Sequence, residues 1–181
     1  MAIAAARLEM VQRLTRALAG AAGPFPGVAL SVDGTVEGWL GSGPALAAED
    51  RLKAELRAAR RHDAQSGATS VGPHRSDLES RHLAKDMPAA YCSTGEQKAM
   101  LIAIVLAEAR LQAAERGVAP LLLLDEVAAH LDEERREALF DEICGLSGQT
   151  WMTGTDAALF APLGDRAQHF SVADATVADV N

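Results

Sequence analysis

A chain of 181 residues with 49% hydrophobic side chains and few aromatics can bury one sizeable core. A formal net charge of -8 and a sequence pI of about 5.1 exclude broad attraction to nucleic acid by bulk charge, leaving room for a local basic strip such as Arg57, Arg60, Arg61 and His62. No apolar run approaches a membrane span, and two isolated cysteines, Cys92 and Cys144, give neither a metal spacing nor a disulfide framework, so a reducing, cytoplasmic setting without membrane contact is expected.

Leu8, Val11, Leu14 or Thr15, and Leu18 recur at three- and four-residue steps, which predicts a helix from about Ala2 to Ala19 ended by Gly20. The N-terminus runs straight into this pattern, so no signal peptide is expected. Arg7, Arg13 and Arg16 lie off the stripe and read as a solvated face. Ala21 to Pro26 is a Gly/Pro connector. Val28, Leu30 and Val32 alternate, Asp33-Gly34 is a hairpin signal, and Val36 and Leu40 would lie on the return strand. Gly41 to Pro44 interrupts the pattern. From about Ala45 to Asp63 the chain reads as a charged helix with a thin apolar stripe of Leu46, Leu52 and Leu56, an arm or a helix lying on the main body. Gln65 to Ser70 is a small-residue linker. In Val71-Gly72-Pro73-His74-Arg75-Ser76-Asp77-Leu78 the Gly-Pro pair forces a turn that presents a polar cluster. By composition alone that cluster is a structural turn with a solvated arginine. A short strand is expected at about Leu78 to His82.

Cys92-Ser93-Thr94-Gly95-Glu96-Gln97-Lys98 opens a helix from about Gly95 to Ala114, apolar nearly all round in its first half. Ser93 is its expected N-cap, with Glu96 as capping-box partner. Such a start offers free backbone N–H groups and a positive dipole end to an anion, and Gly95 admits a phosphate close to the backbone. Gly117 caps the helix and Pro120 resets the chain. The run Leu121-Leu122-Leu123-Leu124 has no alternation, as a central parallel strand buried on both faces would. It ends in Asp125-Glu126. Acids there are costly unless compensated, and Mg²⁺ beside phosphate oxygens is the usual reason in nucleotide-hydrolysing proteins. In isolation, a buried strand leaving into an acidic loop would look the same.

Ala129-His130-Leu131-Asp132 steps tightly into a helix opened by Asp132, Glu133 and Glu134, with Ala138, Leu139, Phe140 and Ile143 on its buried side and Gly145 as its stop. Gln149 to Met152 reads as a second parallel strand, ending in Thr153-Gly154-Thr155-Asp156 on the same edge as Asp125. Asp156 to Phe160 suits a short helix. Arg166 to Val172 reads as a late strand, and the chain ends with another after Ala175.

Helix, acid-tipped strand and short loop in this order form the skeleton of an ABC-type ATPase head. Together with Gly72-Pro73-His74-Arg75-Ser76-Asp77-Leu78, Leu124-Asp125-Glu126-Val127-Ala128-Ala129-His130-Leu131-Asp132 and Thr153-Gly154-Thr155-Asp156, the sequence resembles the C-terminal half of the RecF family of bacterial DNA replication and repair proteins, relatives of SMC-type chromosome proteins and ABC ATPases. The resemblance implies an α/β fold: the C-terminal part of an ABC-type head, with a parallel-rich sheet and flanking helices, preceded by a helical and hairpin portion. The expected division is residues 1–66 and 67–181. It also implies ATP and Mg²⁺ as cofactors of the complete protein, DNA junctions and recombination mediator proteins as partners, an ATP-dependent homodimer, and a role in repair, replication restart and the SOS response. Asp125 would help hold the metal and Glu126 would orient or activate the attacking water. Ser93, Thr94, Gly95, Glu96, Asp132 and Thr155 would contact nucleotide, Ser93 and Gly95 meeting the γ-phosphate held by a facing subunit. His130, Leu131 and Asp132 would sit at the dimer seam, and Thr155 stands about where many ABC heads carry a switch histidine.

One departure qualifies these expectations. The chain lacks the G-x-x-x-x-G-K-[ST] loop that cradles phosphates, since neither Gly41-Ser42-Gly43 nor Gly67-Ala68-Thr69 has the lysine. The chain is therefore expected to be the remainder of a head, with weak ATPase activity only when complemented by the missing half. The alternative is a non-catalytic ABC-fold interaction module or a truncated remnant.

Overall fold

The computed structural model describes residues 1–19 and 23–180. The expected helix stop at Gly20, and the connector residues Ala21 and Ala22, lie outside the described residues. The chain divides into two compact units, Met1–Ala21 with Pro26–Ala107, and Ala22–Phe25 with Glu108–Asn181.

In the first unit, α1 (Ala2–Ala19) packs against β1 (Val28–Asp33). Ala4, Leu14 and Leu18 of the helix and Val28 and Leu30 of the strand are buried, as the three-four and two-residue periods require. β1 does not turn back at Asp33-Gly34. It pairs antiparallel with β2 (Asp77–His82) in the register Val28↔His82 to Asp33↔Asp77, and β2 pairs with the two-residue β3 (Met87–Pro88). The expected return strand is instead helix α2 (Thr35–Ser42). Val36 and Leu40 stand four residues apart, a helical spacing that also satisfies a strand's period of two. Tertiary packing decides between them: Val36 and Glu37 are both buried, which an alternating strand would not allow. Gly34 serves close approach, because a Cβ there would collide with Glu37 Oε2 and Ser76 Oγ.

Helix α3 (Ala45–Ser66) follows Pro44 and closes on Gly67, whose φ of 71° is left-handed and whose N–H reaches Asp63 O. Ala48 is its one buried residue among the described positions, and Leu46 of the expected apolar stripe is 69% exposed. Arg7, expected in solvent, donates to Pro73 O and lies 3.5 Å from Glu37 Oε1. Glu37 Oε2 accepts from Ser76 Oγ at 2.6 Å. The Gly72-Pro73 turn, a 3-10 turn over Pro73–Arg75, is thus pinned through a buried carboxylate, while His74 and Arg75 stay exposed. Helix α4 (Thr94–Arg116) begins in this unit, with Ala99, Met100, Ile102, Ala103 and Leu106 buried.

The second unit takes up the last turns of α4, which Gly117 closes at φ 70° with its N–H on Ala113 O. β4 (Leu122–Leu124) and β5 (Thr150–Met152) run parallel in the register Leu122↔Thr150, Leu123↔Trp151 and Leu124↔Met152. The expectation of a strand buried on both faces is overturned: Leu121 is 56% and Leu123 is 72% exposed. Burial alternates along the strand, with Leu122 and Leu124 half-buried on one face and Leu121 and Leu123 on the face left without cover among the described residues. Helix α5 (Glu133–Gly145) buries Leu139, Phe140 and Ile143. Each such side chain is worth about 1.5–3 kcal/mol of hydrophobic stabilisation. A 3-10 segment over Ala157–Arg166 packs on α5, with the rings of Phe140 and Phe160 6.2 Å apart. Arg166 therefore ends a helical segment. The late strand is confined to β6 (Phe170–Ala173), which forms a hairpin with β7 (Thr176–Asp179). No helix among the described residues is long and apolar enough to cross a membrane.

Candidate functional site

The predicted residues fall into two clusters, one in each unit. The first is built at the start of α4. Ser93 N–H donates to Glu96 Oε2 at 3.0 Å, the Ser93 hydroxyl donates to the same oxygen at 2.9 Å, and Glu96 N–H returns to Ser93 Oγ at 3.4 Å. This is the expected capping box. Gln97 Nε2 donates to Ala89 O at 2.9 Å and Cys92 O at 3.2 Å, which ties the preceding loop to the helix. A side chain at Gly95 would meet nothing within 4 Å, so the helix end opens onto free space beside exposed Ser93 and Thr94.

Lys85, which the sequence pattern did not single out, joins this cluster: its Nζ lies 2.5 Å from Glu96 Oε1. The Lys85 ammonium, then the Ser93 backbone N–H and hydroxyl, hold the Glu96 carboxyl well below its ordinary range, at about 2. Glu96 in turn raises the Lys85 ammonium. Nothing in the sequence pattern pairs these two, because β3 and the 3-10 turn over Ala89–Tyr91 intervene. Cys92 is buried beneath the loop, whereas Cys144 is exposed.

The second cluster sits at the carboxyl ends of β4 and β5. Thr153 Oγ1 donates to Asp125 Oδ1 and accepts the Glu126 N–H at 3.1 Å, while Thr153 N–H closes the ladder on Leu124 O at 3.1 Å. Parallel strands of equal register bring the residue after each strand to one edge, as expected of the Thr153-Gly154-Thr155-Asp156 turn. Glu126 adopts φ 53°, a left-handed conformation uncommon for a residue with a Cβ. Thr155 is exposed two residues past Thr153, on a turn where Gly154 lets the Phe160 ring approach: a Cβ there would stand 2.7 Å from it.

Asp132 caps α5, accepting from Arg135 N–H at 2.9 Å and pairing with the Arg135 guanidinium at 3.1 Å. Leu131 is 7% exposed, while Ala129, His130 and Asp132 of the loop are exposed.

The donor set can be tested against a divalent cation. Among the described residues no group of three or more His, Cys, Asp or Glu is arranged to hold a metal. Asp125 is an exposed carboxylate with Oδ1 engaged by Thr153. Mg²⁺ keeps several waters and is commonly held by one or two carboxylates plus substrate phosphates. Asp125 fits that mode, and an all-protein cage is not among the described residues.

Against known proteins, no protein-family model matches the chain. The DNA replication and repair protein RecF of Rhizobium rhizogenes is 54% identical over 175 residues, 96% of this chain and 46% of the relative. RecF of Rhizobium etli is 52% identical over 179 residues, 98% of this chain and 48% of that protein. A solved structure of the recombination mediator protein RecF-ATP in the RecFOR pathway superposes with a TM-score of 0.69 at 21% identity, over 97% of this chain and 46% of its own. The chain thus spans about half the length of the curated relatives it matches, and it is similar to their C-terminal half. The likeness to the solved structure supports the expected fold, a mixed α/β unit with a parallel pair of strands and flanking helices.

Proposed function

We propose that this chain is the ATP-responsive half of a RecF-like DNA-binding protein of recombinational repair, replication restart and SOS induction, working in the cytoplasm as an ATP-dependent homodimer with recombination mediator proteins. The observation that carries this reading is the Asp125–Thr153–Glu126 arrangement at the ends of two parallel strands, in a chain half-identical to RecF proteins. Asp125 would hold Mg²⁺, whose charge would offset that of the phosphates. Thr153 orients the Asp125 carboxylate and fixes the Glu126 backbone, so the Glu126 side chain is presented just past the strand end to orient or activate water. Ser93, Thr94 and Gly95 offer hydroxyls and N–H groups at a helix N-terminus to the γ-phosphate of the facing subunit. For Ser93 to donate there, its hydroxyl leaves Glu96, which Lys85 keeps as the carboxylate. Asp132 and Thr155 complete the contact across the seam.

The test pairs the chain with the part of RecF that it does not span. This chain is co-expressed with the N-terminal half of Rhizobium rhizogenes RecF, and ATP binding and dimerisation are measured. Saturable ATP binding by the pair, and accumulation of an ATP-bound dimer with Glu126→Gln, are expected. Ordinary turnover with glutamine at 126 would remove Glu126 from the assigned role, and an assembled pair blind to ATP would overturn the reading.

A further inference from the structure

The second half of α3 carries arginines that form no ion pair among the described residues. The protein has 17 Lys and Arg against 25 Asp and Glu, so cations have ample acidic partners. Arg7, Lys53, Arg81, Lys85, Arg110, Arg135 and Arg166 each form an ion pair. Arg51 lies over the Trp39 ring, 4.6 Å from its centroid. Arg57, Arg60 and Arg61 are exposed and make no ion pair or hydrogen bond among the described residues.

Their spacing of three and four residues places the three guanidiniums on one face of the helix. The nearby acids make no ion pair with them among the described residues. Glu49 and Asp50 pair with Lys53 at 2.7 and 3.9 Å, and Asp63 accepts from Ser70 N–H and Oγ at 3.1 and 2.7 Å. Glu55 lies about 160° round the helix from Arg57. Like charges at these spacings destabilise a helix. The helix dipole does not account for them, because its attraction for cations is confined to the last turn, and the last turn of α3 holds no basic residue. Core packing does not either: the 22-residue helix has Ala48 as its one buried residue among the described positions.

We infer that the Arg57–Arg60–Arg61 face of α3 is a docking surface for the phosphate backbone of DNA, read without regard to base sequence. The inference deepens the proposed function by assigning its DNA contact, and it rests on that reading for the choice of nucleic acid. Charge complementarity argues for it: guanidiniums suit phosphate oxygens bidentately, and three of them spread over about 6 Å of helix axis meet successive phosphates of one strand, about 3.4 Å apart along a duplex.

The test uses the whole 181-residue chain and a fluorescently labelled duplex of random sequence, with anisotropy read across a salt series. The triple variant Arg57→Gln, Arg60→Gln, Arg61→Gln keeps helix-compatible side chains, and circular dichroism checks that α3 survives. The variant is expected to bind at least about tenfold more weakly, with the slope of log K against log salt shallower by roughly 2.7, about 0.9 for each phosphate that no longer meets a guanidinium. Replacing the exposed Arg16 and Arg116 by Gln is expected to change that slope by less than about 0.9. An unchanged slope in the triple variant, or no DNA binding by the original chain at about 50 mM salt, would overturn the inference. ATP binding by the complemented pair separates the two readings. Its failure alongside an altered DNA slope would sink the ATPase proposal and leave the DNA surface standing.

Discussion

Thr153 and Asp125, 28 residues apart, are joined side chain to side chain where two parallel strands end, and the same hydroxyl receives the Glu126 N–H. One threonine thus holds both carboxylate positions. Thr153→Val keeps the shape and removes both hydrogen bonds. The site is exposed, so water offsets much of the loss, and the cost to unfolding free energy is expected near ~1 kcal/mol in urea denaturation. Thr153→Ser should recover most of it. Equal stability of all three proteins would show the bridge contributes nothing.

Glu126 sits at φ 53°, where a Cβ costs about 1 kcal/mol or more relative to glycine. Glu126→Gly is therefore expected to match or exceed the original chain in thermal stability, while abolishing water activation in the complemented pair. A clear drop in melting temperature would mean that the Glu126 side chain, not its backbone, is what stabilises this turn.

The Ser93–Glu96–Lys85 cluster predicts a pH dependence. The Glu96 carboxyl ionises at about 2 in the folded chain against 4.5 as the ordinary value. A depressed carboxyl contributes stability that is complete above its unfolded value and is lost as pH falls from about 4.5 towards 2. Glu96→Gln should accordingly lower the denaturation midpoint at about pH 7, and the gap from the original chain should close by about pH 2. Lys85→Gln should narrow the same window. A gap that persists unchanged at low pH would point to altered packing instead.

Glu37 is 1% exposed and links Ser76, in the Gly-Pro turn, to Arg7 of α1. Glu37→Ala removes the acceptor and strands the serine. With Arg7 41% exposed and able to reach water, a loss of about 1–3 kcal/mol is expected, below that of a fully buried ion pair. Gly34→Ala should damage the same place from the other side, since its added methyl collides with Glu37 and Ser76. Chemical denaturation of both variants checks this, and near-wild-type midpoints would show that the turn is held by other interactions.

Leu123 and Trp151 are register partners, 72% and 50% exposed, and the Trp151 ring stacks on Phe170 with centroids 6.0 Å apart. An exposed apolar strand face of this kind is a surface suited to a partner, and the proposed function assigns it to the N-terminal half of a RecF protein. In a Trp39→Phe background, Trp151 fluorescence should shift to shorter wavelength on addition of the RecF N-terminal half. Leu123→Lys should leave this chain folded and block that shift. No shift on a demonstrated complex would place the partner on another face.

The sequence by itself determined the elements whose signals are local. The Ser93/Glu96 box, the Gly117 stop, the Asp132 cap and the acids after the leucine run all depend on interactions within a few residues, and each stands where the residues place it. Tertiary structure alone decided the rest. Val36 and Leu40 fit a strand and a helix equally by spacing, and only the burial of adjacent Val36 and Glu37 chose the helix. Four leucines state that a strand is apolar, but not that both faces have partners, and here Leu121 and Leu123 lack cover. Arg7 looked solvated because an arginine's partner can lie 66 residues away. Charge pairs, strand neighbours and buried polar networks are long-range choices, made by which surfaces meet when the chain closes, and no local pattern encodes them.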